Sequence, residues 1–242
     1  MKLGIFSDVH SNFEALQAVL VLLRDMGVNR YICCGDIVGY GPDPNKCVEL
    51  VRSLKPVCVA GNHDYGVVGK TTTNGFNSAA LKALAWTKEQ ITRTNRNYLE
   101  SLALTERTDP LYIVHASPSE PEEWAYVITL GEAEEEMEYY PDAVCLVGHS
   151  HYPFAVERLP NEPGRLIRQD SFEVKPQARY FVNVGSVGQP RDGDPRACCI
   201  VHNLKTNTMT FHRVPYNVTA VQRKITAAGL PEYLAARLTS GR

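Results

Sequence analysis

Five short motifs carry side chains that bind cations: Asp8-Val9-His10, Gly35-Asp36, Gly61-Asn62-His63-Asp64, the single His115, and Gly148-His149-Ser150-His151. Each alone is commonplace, since a strand-end aspartate is ordinarily a turn or cap residue. Their joint placement carries the meaning. Five of the seven histidines follow short apolar, β-prone runs, at the carboxyl ends of strands, where parallel-sheet loops converge. Alternate residues of an extended segment share a face, so Asp8 and His10 reach one ion together. His149 and His151 do the same if their segment stays extended, and point to neighbouring ions if it turns.

Asp8, His10, Asp36, Asn62, His115, His149 and His151 make seven donors, more than one ion needs. They fit two divalent cations that share a bridging carboxylate, and the strand-end Asp36 is the natural bridge. Carboxylate, imidazole and amide together suit borderline cations such as Mn, Fe and Zn, and exclude neither Co nor Ni; two Mn ions are the expectation. Paired sites, with ions roughly 3.5–4 Å apart, serve phosphoryl chemistry.

These motifs need a parallel sheet behind them. Lys2 to Ser7 reads as a strand, and Asn12 to Met26 repeats apolar residues at helical spacing until Gly27 stops it. A second strand runs to Gly35, a helix spans about Asn45 to Leu54, and Pro56 to Ala60 makes a third strand. This alternation implies right-handed parallel crossovers. Asn77 to Leu102 predicts two helices, Leu111 to His115 and Ala143 to Val147 two more buried strands, and Leu130 to Tyr140 an acidic helix with one wet face. After His151, short strand candidates (Phe154 to Leu159, Leu166 to Val174, Tyr180 to Val184, Ala197 to His202, Met209 to Val214) lie between Pro, Gly and Asn turns and suit antiparallel pairing. The expected architecture is one α/β (α+β) domain over 1–242: metal motifs of 1–151 on a first sheet, 152–216 forming a second, and helices in 217–242.

The chain has 242 residues, 44% hydrophobic, with a formal net charge of −2. It lacks a signal-peptide pattern and any apolar run long enough to span a bilayer, so a cytoplasmic location is expected. The seven cysteines show no disulfide or zinc-ribbon spacing and are expected to be reduced core residues. No basic cluster gives a footprint for non-specific nucleic-acid binding, although a local site can still accept a nucleotide. Homo-oligomerisation stays open.

In order and spelling the motifs resemble the calcineurin-like metallophosphoesterase family, over residues 1 to 151. The resemblance implies a four-layer αββα sandwich of two mixed β-sheets flanked by helices. It implies Asp8, His10, Asp36 and His151 on a first metal, and Asp36, Asn62, His115 and His149 on a second. His63 is implied as the acid serving the leaving group, oriented by Asp64. The activity implied is hydrolysis of a small phosphoester by a metal-bridging hydroxide, with Asn62 also facing the substrate.

One departure narrows this. The family's protein phosphatases follow Gly-Asp with an aspartate-arginine-glycine segment, where this chain reads Gly35-Asp36-Ile37-Val38-Gly39-Tyr40-Gly41. Phosphate recognition therefore falls to another group. The segment Asn183 to Gly193 resembles the bacterial and archaeal phosphodiesterase-like branch, and its amides and Arg191 can meet an anion. A phosphodiesterase on a nucleotide-like substrate is expected; a phosphomonoesterase, a dinucleoside polyphosphate hydrolase, a nuclease and a metal-binding interaction scaffold are the alternatives. His202 and His212 match no motif. Trp86 is expected in the core, and Trp124 either there or lining a substrate cleft.

Overall fold

The computed structural model describes residues Met1–Arg242. The first half alternates as expected: β1 (Lys2–Phe6), α1 (Phe13–Asp25), β2 (Arg30–Cys33), α2 (Pro44–Ser53) and β3 (Val57–Cys58), with β2 paired in parallel to both β1 and β3. α1 forms because Leu16, Val19 and Leu23 recur on one buried face, and Asn12 starts it by accepting the Ala15 N–H at 3.1 Å. Next come α3 (Asn62–Val68), α4 (Ser78–Gln90), α5 (Arg93–Ser101), β4 (Thr105–Thr108), β5 (Leu111–Val114), α6 (Leu130–Glu136) and β6 (Val144–Val147). The second half contributes β7 (Phe154–Arg158), β8 (Arg165–Ile167), β9 (Ser171–Glu173), β10 (Arg179–Asn183), β11 (Ala197–Asn203) and β12 (Thr208–Val214), followed by α7 (Val218–Ala227) and α8 (Glu232–Ser240).

Two six-stranded sheets result, in the orders β3-β2-β1-β11-β12-β9 and β4-β5-β6-β10-β7-β8. Both are mixed: β5, β6 and β10 run parallel in the second, as β1 to β3 do in the first, and the remaining pairs are antiparallel. Between the sheets lies a core that includes Leu3, Ile5 and Ile32 from one and Ile113, Leu146 and Tyr180 from the other. Strand alternation sends Ile32 into this layer and Cys33 to the outer face, where Leu16, Val19 and Val48 of α1 and α2 cover it. On the far side Met137, Tyr140 and Ala133 cover Cys145, Val147 and Phe181. The order helix, sheet, sheet, helix is the four-layer sandwich.

The expected division of strands between sheets does not hold. β5 and β6 belong to the second sheet, whereas β11, β12 and β9 complete the first. The signal lies in β11, whose Ala197 to His202 are all buried. A strand apolar on both faces has to sit inside a sheet, and it pairs with β1 on one side and β12 on the other. The single candidate Leu166 to Val174 is in fact the end of β8 and all of β9, one strand in each sheet. The acidic helix stops at Glu136 and tightens into a 3-10 turn over Met137–Tyr139. β4 leaves no signal in the sequence, because its Thr-Glu-Arg-Thr is a polar edge strand without apolar alternation. No helix is long and apolar enough to cross a membrane.

Candidate metal centre

β1 and β2 of one sheet and β5 and β6 of the other end at a common rim, and the motifs that follow them meet there. The centre lies between two sheets, not at the edge of the first alone. Nor are its motifs extended: Asp8, His10, Asp36, His149 and His151 all take left-handed backbone conformations, with φ between 47° and 64°. Such conformations are costly for residues with a Cβ and persist where the surroundings enforce them, as at ligand-holding turns. They send each donor out of its strand direction, so His149 and His151 join different clusters.

The two carboxylates are held alike. Asp8 Oδ2 accepts the His149 N–H at 3.1 Å, and Asp36 Oδ1 accepts the His63 N–H at 2.9 Å. Each aspartate thus ties its motif to another and turns one oxygen into the site. Asp8 Oδ1 is buried with no hydrogen-bond partner. It lies 3.1 Å from His151 Nε2 and 3.6 Å from His10 Nε2. Asp36 Oδ2 stands 3.6 Å from His10 Nε2 and 3.3 Å from His115 Nε2, within reach of both clusters. Two glycines make this approach possible. A Cβ on Gly61 would overlap Asp36 Oδ1, and one on Gly148 would overlap Asp8 Oδ2 and Ser7 Oγ.

The imidazoles are oriented from behind. Nδ1 of His10 faces Val38 O at 3.0 Å, Nδ1 of His115 faces Cys34 O at 2.7 Å, and Nδ1 of His151 faces Gln189 O at 2.5 Å. A carbonyl only accepts, so each Nδ1 carries the proton and each Nε2 is aimed inward, the usual support of a metal-binding histidine. His149 sets Nδ1 3.2 Å from His115 Nε2. Burial pushes His149 and His151 down to about 3, reinforced by His115 and Arg191 respectively. For His115 burial acts downward too, but the Asp36 carboxylate outweighs it and raises the ring to about 9. For Asp8 burial acts upward and is overruled by His151 and His10, which hold the carboxyl well below its usual range.

Two separate metal-capable clusters form from Asp8, His10 and His151 and from Asp36, His115 and His149, and a third, His10, Asp36 and His63, overlaps both, each set of ligand atoms lying within 4.8 Å. Asn62 Oδ1 is likewise buried and unpartnered. A pair of cations fits this donor set, because orphaned buried oxygens and inward-facing nitrogens are what ligation would satisfy.

His63 and Asp64 sit differently from expectation. Asn62 and His63 belong to the first turn of α3, not to an extended segment. Asp64 does not hold the His63 ring: its oxygens accept the N–H groups of Val38 and Gly61, both at 3.1 Å, which caps α3. His63 Nδ1 has no partner. The ring packs against Tyr40 and Phe76, with centroids 4.4 and 4.6 Å away, and burial pushes its pKa well down.

Most amides of the segment Asn183 to Gly193 are engaged within the protein, two of them on the loop that carries Asp8. Val187 N–H donates to Ser7 O, Gly188 N–H to Asp8 O, and Gln189 N–H to Ser186 Oγ. Arg191 alone turns its side chain to the centre, bonded to Gln189 Oε1 at 3.0 Å, with Nε buried and unpartnered. It lines a cavity of about 140 Å³ that also contains Asp36, His63 and His151. A broader groove of about 740 Å³, lined by Trp124, Lys70 and Thr71, shares Asn62, Phe76, Tyr126 and His149 with that cavity. Trp124 borders this groove and donates to Thr71 Oγ1 at 2.9 Å, whereas Trp86 is partly buried against α7 and α8.

Sequence reasoning missed Tyr126, whose ring stacks on His149 at 4.2 Å, and Tyr233 and Arg237 of α8, which line the smaller cavity. None lies in a motif; only their place after His115 or in the tail helix brings them in. His202 is buried and bonds Asn207 Oδ1 at 3.1 Å, away from the centre. All seven cysteines are buried and free.

The model of the calcineurin-like phosphoesterase superfamily domain matches residues 1–207. An uncharacterized protein of Methanocaldococcus jannaschii is 38% identical over 244 residues, covering 99% of this chain and 98% of that protein. The crystal structure of a metallophosphoesterase from Sphaerobacter thermophilus superposes with a TM-score of 0.87 at 39% identity, covering 100% of this chain and 99% of the other. A hypothetical protein from Pyrococcus horikoshii OT3 shares the fold, with a TM-score of 0.80 at 20% identity, over 100% and 98% of the two chains.

Proposed function

Because the chain belongs to the calcineurin-like phosphoesterase superfamily, we propose that it hydrolyses a small, nucleotide-like phosphodiester at a two-metal centre. The observation that carries the reading is the position of Asp36 Oδ2, within 3.6 Å of a histidine from each cluster. On this reading Asp8, His10, Asp36 and His151 hold one cation, and Asp36, Asn62, His115 and His149 the other. Mn, Fe, Zn, Ni and Co are all compatible with the mixture of oxygen and imidazole donors, and Mn is the candidate we put first. Two bound cations supply Lewis acidity, which acidifies water and neutralises phosphoryl oxygens.

The protein's own groups divide the rest. Arg191 reaches a phosphoryl oxygen with the Nε that otherwise lacks a partner, a charge-assisted contact. His63 passes a proton to the departing ester oxygen. Its protonated form draws support from the substrate's negative charge, since Asp64 is occupied with backbone amides. Asp64 acts by positioning α3, and with it Asn62 and His63. Seven buried free thiols suit a reducing compartment, which is why we place the protein in the cytoplasm.

The test is turnover by metal-loaded protein of four groups: cyclic nucleotides, dinucleoside polyphosphates, lipid-derived diesters and simple monoesters. Preference for a nucleotide diester supports the reading. Protein that binds two Mn ions and turns over none of the four would overturn it.

A further inference from the structure

The tail helix α8 is built into the wall of the metal centre. Leu234 and Leu238 are buried in a cluster with Val221 and Ile225 of α7 and with Tyr40, and the Gly241 carbonyl accepts the Gly193 N–H at 2.8 Å. The last contact ties the end of α8 to the segment that carries Arg191. From the face so fixed, Tyr233 and Arg237 line the same small cavity as Asp36, His63 and Arg191. Tyr233 and Arg237 are one helical turn apart, and the guanidinium lies over the tyrosine ring, 5.2 Å from its centroid.

Two guanidiniums therefore line one cavity whose only acidic lining residue is Asp36. Asp36 already faces the imidazoles of His10 and His115. Neither arginine pairs with an acidic side chain: Arg191 bonds Gln189 Oε1, and Arg237 Nε donates to the Arg242 main-chain oxygen, which leaves its terminal Nη groups free for the cavity. Burial and the Arg191 charge both act against the Arg237 cation and push its pKa down. Like charges confined together gain from an anion placed between them. A single phosphoryl group at a two-cation centre would already meet the charge of Arg191, so the Nη groups of Arg237, which face the cavity with no acidic side chain, suit a further anion.

We propose that Arg237 binds a second phosphate, joined directly to the scissile phosphoryl group, while the organic end of the substrate lies in the broad groove bordered by Trp124 and Tyr126. The inference rests on the two-metal reading above and narrows its substrate to nucleotide-like compounds with a phosphoanhydride. The small cavity and the broad groove are contiguous, since Asn62, Phe76, Tyr126 and His149 border both.

Binding without hydrolysis tests this. Mn-loaded protein is titrated calorimetrically with methylphosphonate and with methylenediphosphonate, which differ by one phosphonate. The affinity gained from the second phosphonate should be about tenfold greater in the native protein than in Arg237→Gln, the scale of one charged contact, while methylphosphonate affinity stays within about twofold. Chelation by the diphosphonate contributes to both proteins alike and cancels in the comparison. Arg237→Lys, which keeps the charge, should retain part of the gain and guards against loss of fold. The same gain in native protein and in Arg237→Gln would overturn the proposal, as would an equal loss for both ligands. Protein that shows the arginine-dependent gain but hydrolyses no phosphoester would keep this subsite and refute the reaction.

Discussion

His10 Nε2 and His151 Nε2 face each other at 3.0 Å, while each ring's Nδ1 is engaged by a main-chain carbonyl. Two neutral imidazoles so oriented present lone pair to lone pair, a contact that only a shared proton or a cation makes favourable. Folding thus prepays a repulsion that metal relieves. Chelator-stripped protein should unfold several degrees lower than protein with Mn, since ligand at about 100 times its dissociation constant adds about 2.7 kcal/mol. A melting temperature indifferent to Mn and to chelator would contradict the metal centre.

Asp36 Oδ2 comes within 3.6 Å of a histidine of each cluster, whereas Asp8 Oδ1 stands 4.0 Å from His115 Nε2, so the charge of Asp36 should be felt by both ions. Asp36→Asn should lower metal content from two equivalents towards none, measured by mass spectrometry after dialysis, because a neutral amide offsets neither divalent charge. Gly61→Ala offers a control with the charge intact: the added Cβ overlaps Asp36 Oδ1 and should displace it. It too should lose metal. Retention of two tightly held ions by Asp36→Asn would end the bridging role.

How far the sequence reveals this centre depends on whether a signal is local. Asp8, Asp36 and His115 are legible because a strand must end where its apolar run ends. Strand order is not, because the partner of β1 on one side is β11, nearly the whole chain away. The left-handed turns at His149 and His151 are invisible too, for neither residue advertises them as glycine would. Asp64 misleads for a related reason: a carboxylate beside a histidine looks like its partner, yet helix α3 begins there, and the amides at a helix start are stronger claimants. Arg237 carries no motif, and only the docking of α8 brings it to the site.

Arg191 is half-buried and keeps one guanidinium nitrogen without a partner. Arg191→Ala should lower kcat/KM by a factor corresponding to roughly 1.5–3 kcal/mol, the scale of a charged hydrogen bond. Metal content should not change. Unaltered kcat/KM would remove Arg191 from substrate binding.

Far from the centre, Glu157 of β7 takes hydrogen bonds or ion pairs from Tyr180, Lys175 and Arg165. Burial acts to raise its pKa, but these partners prevail and hold it at about 2. An unfolded glutamate titrates near about 4.3. The stabilisation is therefore complete above that value and is lost as pH falls from there through about 2, below which both states bind the proton. Glu157→Gln should flatten the dependence of melting temperature on pH across this window. An acid limb as steep as in the native protein would assign the loss to other carboxylates.

His63 and Asp64 separate by chemistry, although they are neighbours in sequence. A general acid typically contributes roughly 10²–10⁴ in rate, and only where the leaving oxygen needs a proton. His63→Ala should therefore cripple hydrolysis of an alkyl phosphodiester, such as a nucleotide ester, and cost much less with p-nitrophenyl esters, whose phenolate departs unprotonated. Asp64→Asn should behave otherwise. The amide can accept only one of the two N–H groups, so the start of α3 loosens and stability falls by about 1 kcal/mol, the usual worth of a cap. Both substrates should then slow together, because Asn62 and His63 shift as one. Each variant is to be assayed at equal metal occupancy, so that lost ion is not read as lost acid. If Asp64→Asn discriminated between the substrates as His63→Ala does, Asp64 would be acting through the imidazole after all. If His63→Ala slowed both substrates equally, the ring would be contacting a phosphoryl oxygen and not the leaving group.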